Sequence, residues 1–200
     1  MKTGKPTRST AGLVAVLAGV VALVLIAVVP RLLQTGGQAP AIGGPFALTD
    51  QSGRPVTDAS YRGKLMLIYF GYTFCPDVCP TALGNVAQAY DRLSPAEQAQ
   101  VVPIFITVDP DRDTVGQMAQ YVTNFSPALV GLTGSPEQIK PVLREFRVYA
   151  RKVEASGGSY TMDHSSVLYL MDRSGKYLSH FDGSASADQI AAGLKKYLAG

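Results

Sequence analysis

The chain has 200 residues, which is enough for one ordinary domain and a short appendage. Hydrophobic residues make up 46% of it and charged residues only 16%, a composition that excludes a disordered chain. The formal net charge is +3, but four basic groups precede the predicted folded part, which keeps 14 basic and 15 acidic groups. With no clustered basic stretch, we expect no nucleic-acid partner.

An unbroken apolar run occupies residues 11–29 and ends at Pro30. At about 1.5 Å per residue, it just spans a hydrocarbon core of roughly 30 Å. Basic residues precede it, so the positive-inside rule predicts a cytoplasmic tail over residues 1–10 and an inner-membrane anchor over residues 11–30. The rest of the chain would then be extracytoplasmic, on the periplasmic side. The alternative is a cleaved signal peptide, with a faint cleavage sequence at residues 39–41.

Residues 31–44 are rich in Gly, Ala, Pro and Gln and predict a tether to a domain over residues 45–200. In chain order, apolar patterning predicts a hairpin with Phe46–Leu48 and Val56, then strands at Leu65–Phe70, Val101–Val108, Ala128–Leu132, Val148–Val153, Ser166–Met171 and Tyr177–Phe181. Helices are predicted around Leu83–Leu93, over Gly116–Phe125, from Ser135 to about Phe146 and from Ser186 to about Leu198. This alternation predicts an α/β, thioredoxin-like fold with a central mixed sheet and an N-terminal hairpin.

The only two cysteines of the sequence, Cys75 and Cys79, follow the first predicted buried strand. A disulfide between them would close almost no loop and would add little stability, so the pair indicates a site. Pro80 suits the first position of a helix, which predicts Cys79 at or near the N-cap, with its pKa lowered by the helix dipole. The alternative is that both cysteines pack as small hydrophobic residues.

The spacing of the cysteines separates two kinds of chemistry. A C-x-x-C pair is typical of thiol–disulfide exchange, whereas C-x-x-x-C adds one residue and lets two thiolates converge on a soft metal ion. Thiolates favour Cu(I) or zinc over magnesium or calcium. Both chemistries need reduced thiols. Cys75 and Cys79 are therefore candidate metal ligands and, in the alternative, a redox-active disulfide pair.

Two sulfurs rarely complete a metal site, so we expect a third ligand, and the chain has two histidines. His164 follows a Gly-Gly pair and would enter the site from a flexible loop, unless it is an ordinary loop or core histidine. His180 lies in a predicted strand and is interpreted as a surface or structural residue. Asp163 is a candidate for orienting His164 or tuning its charge, with a plain turn carboxylate as the alternative. Met162 would face the same way as His164 and is either a soft ligand or core filling.

Three segments, Phe74–Pro80, Val108–Thr114 and Asp163–Ser165, resemble in order and spacing the motifs of Sco/SenC proteins. The charged segment at 108–114 is, from the residues alone, either a solvated loop or an ion-pair network that braces the site, and we favour a structural role. The resemblance covers about Gly43 to Gly200, with Met162 as a departure where a small aliphatic residue is expected.

This resemblance implies a thioredoxin-like fold that holds one copper ion, Cu(I) or Cu(II), through Cys75, Cys79 and His164. It also implies a copper chaperone, rather than an enzyme, that helps metallate the copper A centre of cytochrome c oxidase subunit II. A copper donor protein would be a further partner. The alternative is a thiol–disulfide oxidoreductase that keeps the target cysteines reduced.

Overall fold

The computed structural model describes residues 42–199, together with Gly19 and residues 23–25. The chain divides into two units at about residue 40. In the first unit, Gly19 and residues 23–25 are helical and exposed, while the rest of the predicted tail, anchor and tether up to residue 41 lies outside the described residues. In the parts that the structure describes, no helix combines the length and the apolar character needed to cross a membrane.

The second unit alternates strands and helices within residues 42–199. Its strands are β1 Ala47–Asp50, β2 Pro55–Thr57, β3 Leu65–Gly71, β4 Val101–Thr107, β5 Val130–Thr133, β6 Ala150–Glu154, β7 Tyr160–His164, β8 Val167–Met171 and β9 Tyr177–Asp182. Its helices are α1 Val78–Asp91, α2 Pro95–Gln98, α3 Val115–Thr123, α4 Pro136–Glu145 and α5 Ala187–Leu198.

Seven strands form one mixed sheet in the order β2-β1-β5-β4-β3-β8-β9. β3, β4 and β5 are parallel, whereas β1 runs antiparallel to β5 and β8 runs antiparallel to β3. The β1–β2 hairpin forms one edge of the sheet. These findings confirm the predicted thioredoxin-like α/β fold with a mixed sheet and an N-terminal hairpin.

β3 and β4 form the centre of the sheet, and every residue in both strands is buried. A parallel pair covered on both faces requires continuous apolar runs, which is why the sequence made these strands predictable. Pro103 is accommodated near the start of β4, as predicted. β5 pairs with β4 only from Ile104 onward, so the missing N–H of Pro103 removes no bond to that strand.

β6 and β7 form a separate two-stranded sheet in which Ala150 pairs with His164 and Glu154 pairs with Tyr160. The prediction that His164 enters from a flexible loop is wrong, because His164 is the last residue of β7. The residues of β7 alternate between half-buried and exposed and are mostly polar. Such a short, polar segment gives little periodic signal, and its strand conformation depends on pairing with β6.

Candidate metal centre

Cys75 lies in the connection from β3 to α1, as predicted, and Cys79 lies at the start of the helix. α1 begins at Val78, and the Thr81 N–H donates to the Asp77 carbonyl at 3.2 Å to close its first turn. Cys79 is therefore the second residue of α1, which agrees with its predicted place at or near the N-cap, Asp77. Pro80, the third residue of α1, is tolerated because the first N–H groups of a helix have no acceptor within the helix.

Gly71 at the end of β3 lets Cys79 lie against the sheet. A Cβ at this position would be 2.7 Å from Cys79 Sγ and 2.9 Å from a ring carbon of Phe105. No side chain fits there without displacing the sulfur. Cys79 is consequently 0% exposed, and Cys75 is 9% exposed.

Asp113 anchors the residues that lead into the cysteine loop. Its carboxylate accepts hydrogen bonds from the Thr73 N–H at 3.0 Å and from the Thr73 hydroxyl at 2.7 Å. The Thr107 hydroxyl at the end of β4 donates to the same carboxylate at 2.6 Å. Burial raises the pKa of Asp113, and the bonds from the two threonines oppose that shift. The predicted structural role of the charged segment is confirmed by these bonds, since they tie the loop to the central sheet.

Cys75, Cys79 and His164 converge, with their ligand atoms all within 4.8 Å of one another. His164 Nε2 is 3.3 Å from Cys79 Sγ, and Nδ1 is 2.9 Å from the Ser165 carbonyl oxygen. A carbonyl oxygen only accepts, so Nδ1 carries the ring proton and Nε2 presents its lone pair to the sulfurs. The Tyr69 and Tyr72 rings flank the imidazole and lie nearly perpendicular to it, with centroids 6.3 Å and 5.8 Å away.

The two thiols differ in acidity. A hydrogen bond from the Cys79 side chain is the main cause that lowers the pKa of Cys75 to about 4, with the amides of Asp77 and Cys79 contributing. The Cys79 N–H, at the start of α1, lies 3.5 Å from Cys75 Sγ. The hydrogen bond to Cys75 and burial instead raise the pKa of Cys79. The predicted lowering at Cys79 is thus wrong: the amides at the helix N-terminus point at Cys75, which is the thiolate.

Asp163 and His180, two other residues considered in the sequence analysis, have partners outside the trio. The exposed Asp163 carboxylate forms an ion pair with Arg151 at 2.9 Å, while the Ser165 backbone is the partner of the His164 ring. A role for Asp163 in orienting or tuning His164 stays a prediction. His180 is exposed, with Nδ1 2.6 Å from the Tyr177 hydroxyl, which confirms its interpretation as a surface residue.

A cleft of 340 Å³ opens beside the trio, lined by Cys75, His164 and Met162 among others. Met162 is half-buried and packs against the core as well. Within residues 42–199, the exposed large hydrophobic side chains are Phe74 (51%), Val78 (49%) and Tyr149 (56%), and Val78 lines this cleft. Phe74 and Val78 each precede a cysteine, and Tyr149 precedes the residue paired with His164. Sequence analysis missed these exposed apolar side chains, because exposure is not readable from a short motif.

Two thiols and an imidazole are soft and borderline donors, which suit Cu(I), Cu(II) or zinc and do not suit magnesium or calcium. The fold and the site together define a thioredoxin-like protein whose cysteine pair is joined by a histidine from a separate hairpin. The chain belongs to the SCO1/SenC family, whose sequence profile matches residues 34–199.

Named relatives agree with this assignment. The mitochondrial SCO1 homolog 1 of Arabidopsis thaliana is 45% identical over 78% of this chain, and the match spans about half (47%) of that relative. The structure of Bradyrhizobium japonicum ScoI with copper bound is 49% identical, with a TM-score of 0.74 over 78% of this chain and 99% of that chain. The structure of BsSco, a Sco family cytochrome c oxidase assembly protein with an identified disulfide switch, is 26% identical, with a TM-score of 0.62 over 80% of this chain and 96% of that chain.

Proposed function

We propose that this chain is a copper chaperone that binds one copper ion, Cu(I) or Cu(II), through Cys75, Cys79 and His164. The observation that carries the proposal is the convergence of their ligand atoms within 4.8 Å, with the Nε2 lone pair directed at the sulfurs. The copper-bound relative that is 49% identical supports copper over zinc.

The acidity of the site suits capture of the ion. Copper binds thiolates, and the lowered pKa of Cys75, about 4, keeps this sulfur ionised at neutral pH. Only the second thiol must then lose a proton when the metal arrives. Delivery requires no covalent chemistry in the protein, since the ion passes to the ligands of a partner by exchange.

The proposed recipient is the copper A centre of cytochrome c oxidase subunit II, and a copper donor protein would load the site. The BsSco relative, from a family of cytochrome c oxidase assembly proteins, supports this direction. The exposed side chains of Phe74 and Val78, each next to a cysteine in the chain, offer an apolar contact where a partner could exclude water during transfer.

We also propose that residues 11–30 anchor the chain in the inner membrane, with the domain on its extracytoplasmic, periplasmic side. The support is the length of the apolar run and the basic residues before it. Protease treatment of spheroplasts carrying the full chain tests this topology. The domain should be digested, and protection of the domain would contradict it.

Titration of the reduced 200-residue chain with Cu(I) and with Cu(II) tests the copper site. We expect one ion per chain, retained on gel filtration. Cu(II) should give a sulfur-to-copper charge-transfer absorption. Failure to retain one copper ion per chain would overturn the proposal.

Substitution of each histidine provides a matched pair of variants. His164→Ala should lose Cu(II) retention and its absorption, because the imidazole ligand is gone. His180→Ala should behave as the unmodified chain, because His180 is exposed and bonded to Tyr177. Full copper affinity in His164→Ala would refute the three-ligand site.

A second candidate function is thiol–disulfide exchange, which the acidity of Cys75 favours. The Cys75 thiolate would attack a disulfide of the target protein and form a mixed disulfide, releasing one target thiolate. Cys79 would then give up its proton, attack Cys75 and release the second target thiol, leaving a Cys75–Cys79 disulfide. The target gains two electrons from the pair, and a dithiol reductant must regenerate the protein.

The two functions are separated by their dependence on His164. A reductase should act on target disulfides at full rate without copper and after His164→Ala. A chaperone should transfer copper to a subunit II domain whose cysteines are already reduced, and it should lose that transfer in His164→Ala.

A further inference from the structure

The hairpin that carries His164 lies outside the main sheet. β6 and β7 pair only with each other in the described part of the chain. The position of His164 relative to the two sulfurs therefore depends on side-chain contacts between this hairpin and the rest of the domain. Two of the polar ones involve the segment that follows β4: the Tyr160 hydroxyl donates to Asp109 at 2.9 Å, and Arg112 Nη1 donates to the Tyr160 carbonyl at 3.0 Å. Another joins the Met162 backbone to the Tyr72 side chain.

Arg112 contacts both sides of the site. Its guanidinium carbon lies 3.6 Å from the centroid of the Tyr160 ring on β7 and 4.8 Å from that of Phe74, the residue before Cys75. It also lies 5.7 Å from the centroid of the Tyr72 ring, which packs perpendicular to the His164 ring. One cation thus bridges the hairpin, the cysteine loop and a ring that packs on the imidazole.

The guanidinium is itself held in place from the main sheet. Arg112 Nε donates to the buried Asp109 carboxylate at 2.5 Å. The Asp109 N–H in turn donates to the Thr107 hydroxyl at 2.8 Å, at the end of β4. The remaining nitrogen, Arg112 Nη2, is buried without a hydrogen-bond partner among the described residues. Aromatic rings surround the guanidinium where polar partners would otherwise be expected.

From these contacts we propose that Arg112 is a positioning residue that sets His164 against the cysteine pair. It does so by holding β7 to the end of β4 and by packing between the rings of Tyr72, Phe74 and Tyr160. A lysine could keep the charge but could not supply the planar group that stacks on a ring while it donates to two separate oxygens. The expected effect of Arg112 on copper binding rests on the proposed copper site. Its expected effect on the hairpin can be measured separately in the copper-free chain.

The consequence for metal binding is selective. Two thiolates suffice to hold Cu(I), whereas Cu(II) relies on the imidazole as well. Displacement of His164 should therefore weaken Cu(II) binding and leave Cu(I) binding nearly unchanged. A general loss of folding would lower both affinities together.

The test is Arg112→Lys in the full chain, with Arg54→Lys as the matched control. Arg54 also pairs with a buried aspartate, Asp50, at 2.9 Å, but in the β1–β2 hairpin. Loss of an outer group that orients a ligand typically lowers metal affinity about 10–100-fold, and we expect Arg112→Lys to weaken Cu(II) binding by at least about tenfold. Its charge-transfer absorption should also shift, while Arg54→Lys keeps the original affinity and spectrum.

The copper-free chain provides an independent measurement. In Arg112→Lys, amide hydrogen exchange in β6 and β7 should become about tenfold faster, with β3 unchanged. Tyr160→Phe, which keeps the ring and removes only the bond to Asp109, should have a smaller effect in the same direction. If Arg112→Lys fails to fold, the exchange rates of Tyr160→Phe decide whether these contacts hold the hairpin.

An unchanged Cu(II) spectrum and unchanged exchange in β7 would overturn the proposal, as would equal losses of Cu(I) and Cu(II) affinity. If the unmodified chain binds no copper, the proposed function fails. The exchange measurement then still decides whether Arg112 holds the hairpin.

Discussion

The cysteines and the histidine of the candidate copper site lie on two parts of the domain that are built in opposite ways. The cysteine loop leaves β3, which is buried throughout and paired on both sides. His164 ends a two-stranded hairpin in which none of the described residues of β6 and β7 is fully buried. The two cysteines are buried against the core, whereas His164 is half-buried and belongs to a hairpin outside the main sheet, whose bonds can open without unfolding that sheet.

This difference suits a protein that hands an ion to a partner. In the proposed chaperone, buried cysteines would keep the site ready for the metal at little cost in ordering, and a third ligand on a hairpin outside the main sheet could leave during exchange. The four predictions that follow test this comparison on the cysteine side, on the hairpin side and between the two.

The largest expected effect is the ionisation of Cys75 in the reduced, copper-free chain. Its pKa lies at about 4 against an ordinary 9.0, so the thiolate absorbance should persist from neutral pH down to about pH 4. Because the pKa of Cys75 is lower in the folded than in the unfolded chain, its ionisation makes its full contribution to the stability of the fold above pH 9.0. That contribution should diminish as the pH falls and be lost near pH 4.

An ultraviolet pH titration measures this thiolate, with Cys75→Ser as its control. In Cys75→Ser the signal should be absent at neutral pH, because burial still raises the pKa of the remaining thiol, Cys79. Two thiols that both titrate near pH 9.0, the ordinary value, would contradict the proposed hydrogen bonding of the pair.

The second prediction concerns the close approach of Cys79 to the sheet. Gly71→Ala places a Cβ 2.7 Å from the sulfur, so the free energy of unfolding should fall by about 1–3 kcal/mol, as in other overpacked cores. Copper affinity should fall with it, because the sulfur must move. Denaturant unfolding and copper titration measure the two effects.

The matched control for Gly71 is Gly84→Ala in α1. An added Cβ at Gly84 meets nothing within 4 Å, and alanine favours the helix by up to about 1 kcal/mol. This variant should be at least as stable as the unmodified chain. Equal stability of the two variants would show that the sheet can yield around Cys79.

The third prediction compares the two regions directly by amide hydrogen exchange. Amides in β6 and β7 should exchange at least about tenfold faster than those in β3 and β4, because their bonds open without unfolding the main sheet. Addition of Cu(II) should slow exchange in β7 by tying His164 to the sulfurs. Equal rates in the two sheets would refute the contrast between a fixed and a movable ligand.

The smallest expected effect is that of Met162→Leu. Met162 packs against the core and lines the cleft, so a leucine of similar volume should cost less than about 1.5 kcal/mol. Copper affinity should stay unchanged if Met162 only fills space. The fully buried Met118→Leu serves as the control for packing. A clear loss of Cu(I) affinity in Met162→Leu alone would instead identify the thioether as a ligand.

Much of the fold was predictable because local signals agreed with the tertiary structure. The central strands stood out as continuous apolar runs, and α4 and α5 were marked by capping residues, Ser135 with Gln138 and Ser186 with Gln189. β7 was missed because its polar residues become a strand only through pairing with β6. The start of α1 was misplaced because proline is acceptable anywhere in a first helical turn.

The sequence by itself determined that this is an α/β domain with a soft-ligand site at Cys75 and Cys79, since patterning and spacing are properties of the local chain. His164 was predicted as their partner through elimination and family resemblance, and the tertiary structure brings it within reach of them. Only that structure decided which thiol is ionised and which imidazole nitrogen faces the sulfurs. The physical reason is that both depend on hydrogen bonds whose donors and acceptors are set by folding: the amides of α1 around Cys75 and the Ser165 carbonyl beside His164.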